Sequence, residues 1–128
     1  MYASTKKLTA WYLIIGMAAL FVGGSLGPLQ KLEHLGIASL NFYPELQNIG
    51  LSSYYQGLTI HGVLNALVWT TFFIVGFLTF TTVYSLKRDL THPKLNLASF
   101  ILMVIGLLMA AVPILMNLAT VLFTFYPP

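Results

Sequence analysis

Polar and charged residues are gathered into three stretches of this chain, and the blocks between them carry no charge at all. The blocks run from Leu8 to Leu26, from Tyr54 to Leu86 and from Leu95 to Phe125. A hydrocarbon core about 30 Å thick is crossed by about 20 apolar residues rising 1.5 Å each, so every block is long enough to span. The pattern therefore predicts an all-α membrane protein with three transmembrane helices, at about 8–26, 51–86 with interfacial ends, and 95–125. Lys6-Lys7 precede the first helix, Trp11 and Tyr12 stand near its start, and Gly27-Pro28 predict a clean stop. A secretory signal peptide is the competing reading of that block. Its apolar core would be about 7 to 15 residues, shorter than this one, and two more apolar spans follow here. In the third helix Pro113 removes a backbone donor and collides with the turn at Met109, which predicts a kink.

Between the first two helices lies a connector, residues 28–53, with Lys31, Glu33, His34 and Glu45. A short interfacial piece around Leu40 to Leu46 suits its pattern. Tyr43, Tyr54 and Tyr55 stand where an aromatic belt would mark the far interface. The second connection, K-R-D-L-T-H-P-K, holds Lys87, Arg88 and Lys94. Since basic residues favour the cytoplasmic side, the two lysines of the amino end and the three basic residues here lie inside, and the connector with its single Lys31 lies outside. His34 and His92 read as loop residues on opposite sides of the membrane.

Composition agrees and excludes several functions. The chain is 58% hydrophobic and 7% charged, where soluble domains are charged at about a quarter of their positions. Its net charge of +3 comes with no basic stripe able to neutralise several phosphates, so nucleic acid is not a partner. There is no cysteine, hence no disulfide, thiolate metal site or cysteine nucleophile. No carboxylate lies within a span to serve a proton relay.

One ionisable side chain does enter a span. His61 lies six residues past Tyr55, about 9 Å below the outer interface at 1.5 Å per residue. Gly57, His61, Asn65, Val68 and Phe72 follow one another at steps of four or three and share a face, with Gly62 beside them. An imidazole nitrogen, a small residue for close approach and an apolar wall suit a heme. The same residues equally suit an interhelical hydrogen bond packed through glycines. Gly16, Gly23, Gly24 and Gly27 in the first helix offer room for such a neighbour.

The run Y-Y-Q-G-L-T-I-H-G-V-L-N-A-L-V-W-T-T-F-F, with G-P-L-Q after the first helix and A-T-V-L-F-T-F-Y-P-P at the end, resembles subunit I of heme–copper terminal oxidases. The resemblance is to the B-family branch, the cytochrome ba type, and covers nearly the whole chain as an amino-terminal fragment of a larger helical bundle. It implies a cytochrome c oxidase of the cell inner membrane that reduces dioxygen to water and couples this to proton translocation. His61 is then one of two axial ligands of a low-spin heme b, with Gly57 and Asn65 beside it. The implied partners are the rest of subunit I, subunit II with its copper centre, and cytochrome c as electron donor. The second low-spin ligand, the high-spin heme ligand, the copper-ligating histidines and the cross-linked tyrosine of that family have no counterpart here, so the fragment alone is expected to be inactive. Leu118 stands where close relatives have a carboxylate.

Two other classes fit three spans. A small heme-binding membrane anchor, like that of succinate dehydrogenase, would use one histidine and dock a soluble partner. A packing subunit without cofactor would show no Soret band. Orientation is testable directly because the chain has no cysteine of its own. An impermeant thiol reagent added outside should modify a cysteine placed in the connector and spare one at Thr91; the opposite labelling would reverse the topology.

Overall fold

The computed structural model describes residues 3–37 and 54–118. These form three helices: α1 (Ala3–His34), α2 (Tyr54–Leu86) and α3 (Pro93–Leu115). All three are long and apolar enough to cross a membrane, and there is no strand among the described residues. The expected all-helical membrane architecture is thus the observed one. The connector segment around Leu40–Leu46 and Tyr43, the expected start of α2 at Leu51, and the chain beyond Leu118 lie outside the described residues.

α1 does not stop at Pro28. It continues to His34, and its closing glycine is Gly36, with φ of 69°. The Gly36 amide donates to the Glu33 carbonyl and the Ile37 amide to the Leu32 carbonyl, both at 3.0 Å. This paired closure needs a left-handed residue, which glycine adopts without a Cβ penalty. Pro28 is carried within the helix, as proline can be in a membrane span when the surroundings accommodate the hydrogen bond it forgoes.

α3 begins with Pro93 in its first turn, where a missing N–H costs nothing. His92 therefore caps a helix instead of merely ending a loop, and its carbonyl accepts from both the amide and the side chain of Asn96. At the other end the helix closes at Leu115, short of the expected Phe125. Asn117 takes φ of 57°, its amide donates to Ile114 O at 3.1 Å, and the Leu118 amide donates to Pro113 O at 2.9 Å. Asparagine tolerates the left-handed region better than most residues, so it serves here as glycine does after α1. Pro113 consequently stands in the last turn of α3 and not at a mid-span kink.

α1 and α2 pack antiparallel around a cluster of Leu8, Tyr12, Ala19, Val68 and Phe72. The rings of Tyr12 and Phe72 lie 5.9 Å apart, and Phe100 of α3 meets Tyr12 edge-on at 4.8 Å. A second cluster, Leu26, Ile60 and Ile114, joins all three helices near the opposite end. Leu102, Leu108 and Met109 on α3 are exposed, leaving that helix a broad apolar face for lipid or further helices.

Polar ties hold both ends. Gln56, wholly buried in the first turn of α2, donates its amide to the Ile114 carbonyl at 2.8 Å and the Leu115 carbonyl at 3.2 Å. It thereby reaches the Leu115 carbonyl in the last turn of α3, where helix ends need outside donors, and adds a second donor to the Ile114 carbonyl, which also accepts from the Asn117 amide. At the end where α1 begins, the Thr5 hydroxyl donates to Asp89, Ser4 Oγ donates to it at 3.4 Å, and the Leu90 amide donates at 2.9 Å.

The Thr5 hydroxyl foremost, then the Leu90 amide, holds the Asp89 carboxyl below its ordinary range. A carboxylate favoured by the fold stabilises it above the unfolded-state value, and that contribution disappears as pH falls through the depressed folded-state value. Thermal unfolding in detergent should accordingly show a loss of stability below about pH 4 that Asp89→Asn abolishes. An identical pH dependence in the variant would dissociate this tie from acid stability.

Candidate functional site

α2 brings the expected face inward. Gly57, Val68 and Phe72 are buried, and His61 and Asn65 are half-buried. This face is covered by α1, and three of the four first-helix glycines form the contact. A Cβ at Gly16 would come within 3.4 Å of the Phe73 amide nitrogen. At Gly23 it would stand 2.9 Å from Leu64 Cβ and 2.7 Å from Asn65 Oδ1, and at Gly27 it would lie 3.0 Å from His61 Cε1. Gly24, by contrast, faces open space. From α2, Gly76 completes the close approach, since a Cβ there would lie 2.7 Å from Tyr12 Cβ.

Gly23 does more than make room. Its carbonyl oxygen lies 2.6 Å from His61 Nδ1. A carbonyl only accepts, so Nδ1 carries the proton and donates to Gly23, and the neutral ring then has its lone pair on Nε2. Nε2 takes no hydrogen bond among the described residues. The Asn65 amide nitrogen is 3.1 Å from the same Nδ1, and Asn65 Oδ1 is buried without a partner. With Nδ1 protonated, an N–H directed at it has nothing to donate to. A half-turn of the amide would place Oδ1, an acceptor, beside Nδ1–H.

Around this pair α2 winds differently. Val63–Trp69 is a π-helical stretch beginning two residues after His61 and containing Asn65. Its i→i+5 bonds take more residues per turn, a departure found often at functional sites. Val63 and Leu64 of the same stretch join Val22, Ile60, Ala111 and Ile114 in lining an apolar cavity of 210 Å³ between the three helices.

His34 and His92 are exposed, one closing α1 and the other capping α3, and neither approaches His61. No group of three or more His, Cys, Asp or Glu residues able to hold a metal ion occurs among the described residues. One imidazole with an available nitrogen, a fixed tautomer and apolar surroundings fits one side of a heme iron; a metal cage it does not fit. On the opposite helix the ring is wedged by Gly23 and Gly27, a close approach additional to the one expected at Gly57 and Gly62. Gln56 and the π-helical winding carried no signal of their own in the sequence.

Residues 7–128 match the family described as Cytochrome C and Quinol oxidase polypeptide I. The chain is similar to Cytochrome c oxidase subunit 1 of Thermus thermophilus, with 44% identity over 128 residues covering 96% of this chain and 22% of that protein. It is also similar to the Heme-copper oxidase subunit I+III of Aeropyrum pernix, with 29% identity over 96 residues covering 74% of this chain and 11% of that one. The chain thus spans less than a quarter of the length of either relative.

The Cβ positions make a graded prediction. Gly23→Ala sets a methyl against Leu64 Cβ, which is fixed to the backbone, so α1 and α2 must part; overpacking of this kind costs about 1–3 kcal/mol. Gly24→Ala meets nothing and gains helix propensity worth up to about 1 kcal/mol. Unfolding in mild detergent should therefore rank Gly24→Ala at or above the parent and Gly23→Ala clearly below it. Equal effects would mean that the helices are not held at this distance.

Proposed function

The chain belongs to the family of cytochrome c and quinol oxidase polypeptide I, and from that premise we propose that it contributes the first three spans of a B-family subunit I. In this reading His61 Nε2 is one of two axial ligands of a low-spin heme b. The observation that carries it is the hydrogen bond from His61 Nδ1–H to the Gly23 carbonyl. A ligating imidazole commonly donates its other N–H to such a carbonyl, which fixes the tautomer, orients the ring and makes the free nitrogen more basic.

Iron held between two imidazoles would exchange electrons between its ferric and ferrous states while leaving no coordination position for dioxygen. Gly23 and Gly27 set how far the ring can turn, and Asn65 borders it one helical turn on. Gly57, buried a turn before His61, leaves that approach free of side chain. The second imidazole comes from elsewhere in subunit I, because His34 and His92 sit at the helix ends. Dioxygen reduction coupled to proton translocation, with electrons arriving from cytochrome c through subunit II, belongs to the assembled enzyme in its inner membrane. The amino end of α1 lies in the cytoplasm in this arrangement. A match extending over residues 7–128 favours this reading over a self-contained anchor subunit.

In the full-length enzyme, His61→Ala should abolish the bis-imidazole signature in low-temperature electron paramagnetic resonance. Membrane insertion should be unaffected, since the span becomes no less apolar. A retained low-spin signal would make His61 a packing residue only.

A further inference from the structure

At the end of the bundle where α1 begins, a cavity of 360 Å³ opens between α1 and the start of α3. Its volume lies within the range of about 300–1,000 Å³ typical of small-molecule sites. Leu8, Trp11, Pro93 and Leu97 contribute its apolar lining, and Lys7 and Lys94 stand in it from the two different helices. Neither lysine has a hydrogen-bond or ion-pair partner among the described residues. The nearby carboxylate, Asp89, is held by the hydroxyls of Thr5 and Ser4 and by the Leu90 amide, and no lysine is among the groups that hold it.

The charge balance around the cavity is one-sided. Lys6, Lys7, Lys87, Arg88 and Lys94 gather at this end, five of the six basic residues of the chain. Two ammonium groups from facing helices suit a single phosphate between them, and the apolar walls below continue into the membrane-spanning faces of α1 and α3. A free phosphate would use the lysines and leave Leu8, Trp11 and Leu97 uncovered. An acyl chain covers them, and a tryptophan such as Trp11, half exposed here, is at home at headgroup level. Basic pockets between helices on the cytoplasmic side are suited to anionic headgroups.

We propose that the groove between α1 and α3, with Lys7 and Lys94 at its mouth, is a binding site for one anionic phospholipid. The phosphate lies between the two ammonium groups and an acyl chain runs along Leu8 and Leu97. The proposal is independent of the role of His61.

The test uses full-length protein in mild detergent, with phosphatidylglycerol and phosphatidylcholine titrated in turn and bound lipid counted by native mass spectrometry. Each lysine is expected to contribute about fivefold to the preference for the anionic lipid, so Lys7→Gln with Lys94→Gln should reduce it about 25-fold. Lys7→Arg with Lys94→Arg should retain it. A control pair at the same end but outside the groove, Lys6→Gln with Lys87→Gln, should leave the preference within about twofold. Leu97→Trp, which fills the groove without altering charge, should displace both lipids. Equal affinity for the two lipids, equal losses in the groove and control pairs, or no bound lipid because other parts of the protein cover the groove, would each overturn the proposal.

Discussion

The hydrogen bond from His61 to the Gly23 carbonyl is possible only because two helices approach each other without side chains between them. A backbone carbonyl inside an α-helix is ordinarily screened by neighbouring side chains and already engaged in its own helix. Here Gly23 and Gly27 strip one face of α1 over two successive turns, and the imidazole of His61 lies in the depression. In lipid, helices gain little by hiding apolar surface from one another, so close packing and interhelical hydrogen bonds carry the association. Both meet at this point. The cluster of Tyr12, Ala19, Val68 and Phe72 then continues the same close contact toward the other end, where Gly76 admits Tyr12.

What the glycines do at mid-depth, polar side chains do at the ends. Gln56 reaches the terminal carbonyls of α3 and Asp89 collects hydroxyls and an amide at the start of α1. These two ties link different pairs of elements, α2 with α3 at one end and α1 with the second connection at the other. α3 has much less burial than its neighbours, with Ile114 its one buried residue, so the Gln56 amide is a principal fix on its position beside the contact of Phe100 with Tyr12. A polar group in an apolar medium is expensive to leave alone, and that expense gives its partner directional authority that a leucine lacks.

How much of this was legible follows from which signals are periodic. The face Gly57–His61–Asn65–Val68–Phe72 could be read from spacing, since steps of three and four survive even through the π-helical winding. The first-helix glycines could be read as contact residues, but not which of them make contact: Gly24 differs from Gly23 only in pointing elsewhere. Helix ends were misread wherever a single residue type was taken as decisive. Pro28 does not terminate α1, which runs on to the left-handed Gly36 and its paired closure. Asn117 terminates α3 well before the apolar run ends, because two hydrogen bonds reward its left-handed backbone. Gln56 was invisible for another reason, since its value depends on carbonyls 58 and 59 residues away.

The geometry also separates what this chain determines from what must come from outside it. Orientation of the His61 ring, its tautomer and its distance from α1 are all fixed by residues within two helices. The direction in which Nε2 acts is therefore set before any ligand arrives, as preorganisation of a donor requires. Nothing comparable faces this ring from the other described histidines, because His34 and His92 close or cap helices at the two ends. Were His61 to hold a heme as proposed, the second imidazole would come from another segment, and that segment would meet a ring already oriented by its hydrogen bond to Gly23 of α1.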